Sequence, residues 1–114
     1  MIIYQNGEFL FSEVKVANTF WKRFKGLMFK KNMSPNEALL LKNCSCIHTC
    51  FMRFPIDVVY LDNDFKVLKT ESVKPWRIGS FVKGAKHIIE IKKGEAEKFQ
   101  LGYPIHLGTA ERKG

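Results

Sequence analysis

The chain has 114 residues and a net charge of +8, from 19 Lys and Arg against 11 Asp and Glu. That length suits one hydrophobic core and hence a single domain over residues 1–114, and no apolar run approaches the ~20 residues of a membrane helix, so no membrane span is expected. The lysines are scattered along the whole chain, the distribution of a solvated surface, which leaves nucleic acid only as a weak, salt-sensitive and non-specific partner.

Residues 1–4 are apolar, and Asn6-Gly7 then supplies a hairpin turn before a strand over residues 8–11 and another over 14–17. At Phe20, Trp21 and Phe24 the apolar spacing becomes helical, with Thr19 as N-cap and Gly26 placed to end the helix in a left-handed conformation. The polar stretch 30–37, with Ser34-Pro35-Asn36, reads as a surface loop, and residues 38–41 as a strand.

Residues 56–61 are β-branched and aromatic enough for a core strand, and Asp62-Asn63-Asp64 turns the chain into a second hairpin through residues 65–68, extended by 70–73. Lys74-Pro75-Trp76 breaks the pattern, with Trp76 as a lid over the core or a wall of a pocket. A strand over 87–91, a short helix over 95–101 capped by Gly102, and a final strand over 105–107 complete the reading, with 110–114 frayed. Many short strands and two short helices predict a mainly β fold, a single-domain sandwich or open barrel.

The chemistry-bearing residues concentrate between Cys44 and Asp57. All three cysteines lie between positions 44 and 50, an odd and clustered set that does not make a secreted disulfide framework. The N-terminus has no basic start followed by a long apolar run, so no signal peptide is read there. Both observations predict reduced thiols and a cytoplasmic location.

Extended backbone would place Cys44, Cys46, His48, Cys50, Met52 and Phe54 on one face. It would also hold Cys44 and Cys50 ~20 Å apart, too far for a tetrahedral site. No metal and no cofactor are therefore expected. His48 with Cys44 or Cys50 could serve a thiol-dependent enzyme or redox protein, but no hydrolase signature surrounds Cys50 and no Cys-x-x-Cys is present. A carboxylate at Asp57, entering a core strand, requires a partner: a backbone amide, Arg23, Arg53 or the Thr49 hydroxyl.

Several stretches, in order along the chain, carry a family resemblance. Arg23-Phe24-Lys25-Gly26-Leu27-Met28-Phe29 is similar to the first signature of domain-of-unknown-function family 192. The run from Ile47-His48-Thr49-Cys50-Phe51-Met52-Arg53-Phe54-Pro55-Ile56-Asp57 on to Asp62 resembles the most specific one. Lys74-Pro75-Trp76 and the segment holding Glu90 and Gly94 resemble two more, and Gly102 also fits. The resemblance implies a compact β-rich prokaryotic domain and brings no reaction, cofactor or catalytic residue with it. The chain departs from the family pattern at Cys46 and Cys50, where members commonly carry other residues, so a shared mechanism would not run through those thiols.

The leading expectation is a non-enzymatic module for a small ligand or peptide, with a pocket around residues 48–57. The signature residues Arg23, Met28, His48, Met52, Asp57 and Trp76 would line it, a mix of soft apolar walls and few polar groups. A thiol-dependent protein and a weak polyanion-binding surface are the alternatives.

Overall fold

The computed structural model describes residues 1–17, 32–50 and 52–109. Among the described residues eight strands form two sheets: β1 (Ile2–Gln5), β2 (Glu8–Phe11), β3 (Glu13–Ala17), β4 (Glu37–Leu41), β5 (Ile56–Leu61), β6 (Val67–Val73), β7 (His87–Lys92) and β8 (Ile105–Gly108). The smaller sheet has the order β2-β1-β8 and the larger β3-β4-β7-β5-β6. All pairings are antiparallel except β3 with β4. The fold is mainly β and built on two sheets rather than a closed barrel.

Asn6-Gly7 forms the β1–β2 turn, with both residues at positive φ (53° and 79°), as a two-residue hairpin closing Gln5 opposite Glu8 requires. The Asp62-Asn63-Asp64 turn is held by Asp62, whose Oδ1 accepts the amides of Asp64 (2.8 Å) and Lys66 (2.9 Å). The next strand starts at Val67 rather than Phe65, because Phe65 takes a φ of 63° and stacks on the His87 ring. Burial and nearby Lys42 hold the His87 pKa below its ordinary value despite Asp62, and its Nδ1 accepts the Asn43 amide at 3.0 Å.

β5 and β7 occupy the middle of the larger sheet, and all six residues of β5 are buried. Strand alternation divides them between two apolar layers. Val59, Leu61, Ile89 and Ile91 pack with Ile3, Leu10, Phe11 and Ile105, filling the space between the sheets. Ile56, Val58, Tyr60 and Ile88 pack on the opposite face with Ile47, Met52 and Ala85, from the long connections around that side. A strand sandwiched on both faces has no polar side to spare, which explains its near-continuous apolar run.

The helix expected over residues 19–25, with its Gly26 cap, lies outside the described residues. The second expected helix is shorter than its sequence suggests: Glu95–Lys98 forms a single 3-10 turn, and Phe99 returns to extended backbone. Phe99 is buried against the core and stacks on Phe11, so side-chain packing ends the helix well before Gly102. Gly102 still takes a positive φ of 86°, in a turn leading to β8.

Candidate functional site

The stretch after β4 is not a strand. His48 makes an isolated bridge there, opposite Ile78, and the chain turns at Thr49, whose carbonyl accepts the Met52 amide at 3.2 Å. The one-face alternation therefore fails. Ile47 and Thr49 are buried, His48 and Cys50 half-buried, Cys46 exposed, and after the turn Met52 enters the core.

Thr49 is the structural centre of this region. It is fully buried, and its hydroxyl donates to the Lys74 carbonyl at 2.5 Å while accepting the Arg77 amide at 2.8 Å. Its backbone adds two bonds, from its own amide to the Arg77 carbonyl (2.8 Å) and from the Trp76 amide to its carbonyl (2.9 Å). Four hydrogen bonds through one residue fasten the 44–55 connection to the 74–86 connection. Trp76 is held there at a φ of 61°, a left-handed conformation uncommon for a bulky residue, with its side chain 57% exposed. It stands at the surface.

His48 Nδ1 accepts the Cys50 amide at 3.2 Å, which puts the proton of the neutral ring on Nε2. The Cys44 thiol donates to the Cys46 carbonyl at 3.0 Å. Among the described residues no three His, Cys, Asp or Glu side chains are grouped as metal ligands would be.

Asp57 is buried and meets backbone amides, one of the partners its position calls for. Its Oδ2 accepts the N–H groups of Gly94 (2.8 Å) and Ala96 (3.1 Å), and its Oδ1 the Ser72 hydroxyl (2.6 Å). It alternates with Ile56 and Val58 along β5, so it faces the side opposite Met52 and anchors the 3-10 turn. His48, Met52 and Trp76 thus belong to one region and Asp57 to another. Arg23 and Met28 lie outside the described residues.

Two acids on the larger sheet, Glu71 half-buried and Glu90 buried, carry no individual signal in the sequence beyond the family resemblance at Glu90. Glu71 on β6 accepts the Tyr60 hydroxyl, the Ser80 amide (2.9 Å) and the Ser80 hydroxyl (2.8 Å). Burial works to raise its pKa, but these hydrogen bonds and nearby Lys69 outweigh it and hold the carboxyl below its ordinary value. Burial and the same carboxylate push the Tyr60 phenol well up. Glu90, opposite Leu39 and Val58, is buried, its Oε1 has no hydrogen-bond partner among the described residues, and burial raises its pKa to about 8. Burial thus favours its protonated form around neutral pH.

A β domain of two sheets whose connections form a stapled surface is the class this geometry defines. A crystal structure of a protein of unknown function from Novosphingobium aromaticivorans shares the fold, with a TM-score of 0.79 at 16% identity over 93% of this chain and 82% of that one. The family model DUF192, described as "Uncharacterized ACR", matches residues 1–104, and the chain belongs to that family. A UPF0127 protein of Pyrococcus horikoshii is 39% identical over 94 residues, 77% of this chain and 79% of the relative. A UPF0127 protein of Thermococcus sibiricus is 42% identical over 88 residues, which are 71% of this chain and 55% of that longer relative. These relatives define a family whose function is uncharacterised.

Proposed function

We propose that the protein is a non-enzymatic binding module that holds a small ligand or a peptide segment where the 44–55 and 74–86 connections meet. The observation that carries this reading is the Thr49 staple: a fully buried residue spends its hydroxyl and both backbone groups fixing a surface seam rather than a core. Pre-organisation of that kind lowers the entropic cost of binding. His48 and Trp76 border the seam, an imidazole donor beside a large apolar surface, while Met52 packs beneath it. Asp57 lies on the opposite face of the larger sheet, and Arg23 and Met28 join the reading only through their family signature.

A ligand-observed NMR screen with a fragment set and a set of short peptides tests it. Hits that disappear with His48→Ala and with Trp76→Ala, at unchanged melting temperature, are the expected result. Hits that both variants retain would place binding elsewhere and defeat the reading.

A further inference from the structure

We infer that residues 74–86 dock the protein peripherally on an anionic lipid bilayer. Within six positions this segment exposes three large apolar side chains, Trp76 at 57%, Ile78 at 80% and Phe81 at 87%. Four exposed cations, Lys74, Arg77, Lys83 and Lys86, are interleaved with them, and the segment contains no Asp or Glu. The acid preceding it, Glu71, is turned onto Tyr60 and Ser80, so it does not neutralise these cations at the surface.

The apolar groups are held outward by the backbone beneath them. The Gly79 amide donates to the Ile47 carbonyl at 3.0 Å, and Thr49 fixes Lys74, Trp76 and Arg77 on the other side of Ile78. The Gly79 backbone lies directly on Tyr60 and Ile47, leaving no space for the loop to sink inward. Exposed cations interleaved with exposed large apolar side chains suit the headgroup boundary of an anionic membrane, where phosphates meet Lys and Arg while Trp, Ile and Phe enter the acyl edge. Ile78 favours a bilayer over single-stranded nucleic acid, because an aliphatic side chain offers no ring for a base to stack on. The inference does not depend on the small-ligand reading, which uses neither Ile78 nor Phe81.

Co-sedimentation tests it, with vesicles of equal parts phosphatidylglycerol and phosphatidylcholine beside vesicles of phosphatidylcholine alone. The wild-type protein is expected to pellet with the anionic vesicles at low salt and to remain in solution with the neutral ones. The double variant Ile78→Ser/Phe81→Ser, which alters exposed side chains, should melt like wild type and partition at least about tenfold more weakly. Lys74→Ser/Lys83→Ser should also bind more weakly, with a smaller salt dependence. Failure of the wild-type protein to pellet with anionic vesicles at low salt would overturn the inference. So would undiminished pelleting of Ile78→Ser/Phe81→Ser, which would reduce the attraction to net charge alone. Loss of binding to a single-stranded oligonucleotide by that variant, with vesicle binding retained, would reassign the surface to nucleic acid.

Discussion

Asp57 Oδ2 accepts the backbone N–H of Gly94 at 2.8 Å, joining a central strand to a turn 37 residues further along the chain. With the Ala96 amide and the Ser72 hydroxyl it makes Asp57 a buried acceptor for three donors. Asp57→Ala orphans buried donors and is expected to destabilise by roughly 2–3 kcal/mol, whereas Asp57→Asn, which keeps one acceptor oxygen, should cost roughly 1 kcal/mol. Urea denaturation measures both. Ligand hits from the screen should survive Asp57→Asn, and their loss without a change in stability would return Asp57 to the binding site.

Glu90 gives stability a pH dependence of unusual sign for a carboxylate. Its pKa is raised by burial from 4.5 to about 8, so between those values the folded state holds a proton that the unfolded state has released. Stability must therefore fall as pH rises through that window and level off above it. At about 1.4 kcal/mol per unit, the decline is on the order of a few kcal/mol. Glu71 acts in the opposite window: its lowered pKa adds stability that is lost as pH falls below 4.5. The urea midpoint of the wild-type protein is expected to drop between about pH 5 and 8, and Glu90→Gln or Glu90→Met to remove that drop, leaving the modest rise that the lowered pKa of His87 gives as pH passes 6.5. An equally steep decline in both variants would show that another group is responsible.

Much of this architecture can be read from local patterns. Asn6-Gly7 needs only its own positive φ values, and the apolar run of β5 announces a strand buried on both faces. What could not be read depends on distant partners. The alternation of Cys44, Cys46, His48 and Cys50 mimics a strand, yet Thr49 finds its hydrogen bonds 25 to 28 residues away and turns the chain instead. The helical spacing after Gly94 is cut short because Phe99 packs on Phe11, a contact no local window contains. Trp76 stands out in the sequence as an aromatic beside a proline, whereas no local pattern marks Ile78 and Phe81 as exposed.

Gly79 and Tyr60 form a tight contact that sequence patterning does not reveal. A Cβ built on Gly79 would lie 2.6 Å from the Tyr60 hydroxyl and 2.8 Å from Ile47 Cγ1, inside ordinary contact distances. Gly79→Ala is therefore expected to destabilise by roughly 1–3 kcal/mol through overpacking. Tyr60→Phe removes one obstructing atom and separately deprives Glu71 of a donor. In a double-mutant cycle followed by thermal denaturation, Gly79→Ala should cost less in the Tyr60→Phe background than alone. Strict additivity would mean that Ile47, rather than the phenol, sets the limit.

The Thr49 staple is the feature on which the surface seam depends, and an isosteric change isolates its hydroxyl. Thr49→Val keeps the shape and the backbone bonds but leaves the Lys74 carbonyl and the Arg77 amide without their buried partner. A loss of roughly 1–3 kcal/mol is expected from those unmet groups, and Thr49→Ser should recover most of it by restoring the hydroxyl. Hydrogen exchange gives the more specific readout. The Arg77 amide, which loses its acceptor, and the adjacent Trp76 amide, whose bond to the Thr49 carbonyl lies in the loosened seam, should lose protection in Thr49→Val, while those of β5 and β7 should change only as far as global stability does. If protection falls uniformly across all of these amides, Thr49 serves the core as a whole and the seam is not a separately fastened unit. If it falls only at Trp76 and Arg77, ligand hits that depend on His48 and Trp76 should weaken in the same variant. Their affinity then measures how far binding relies on a seam fixed in advance.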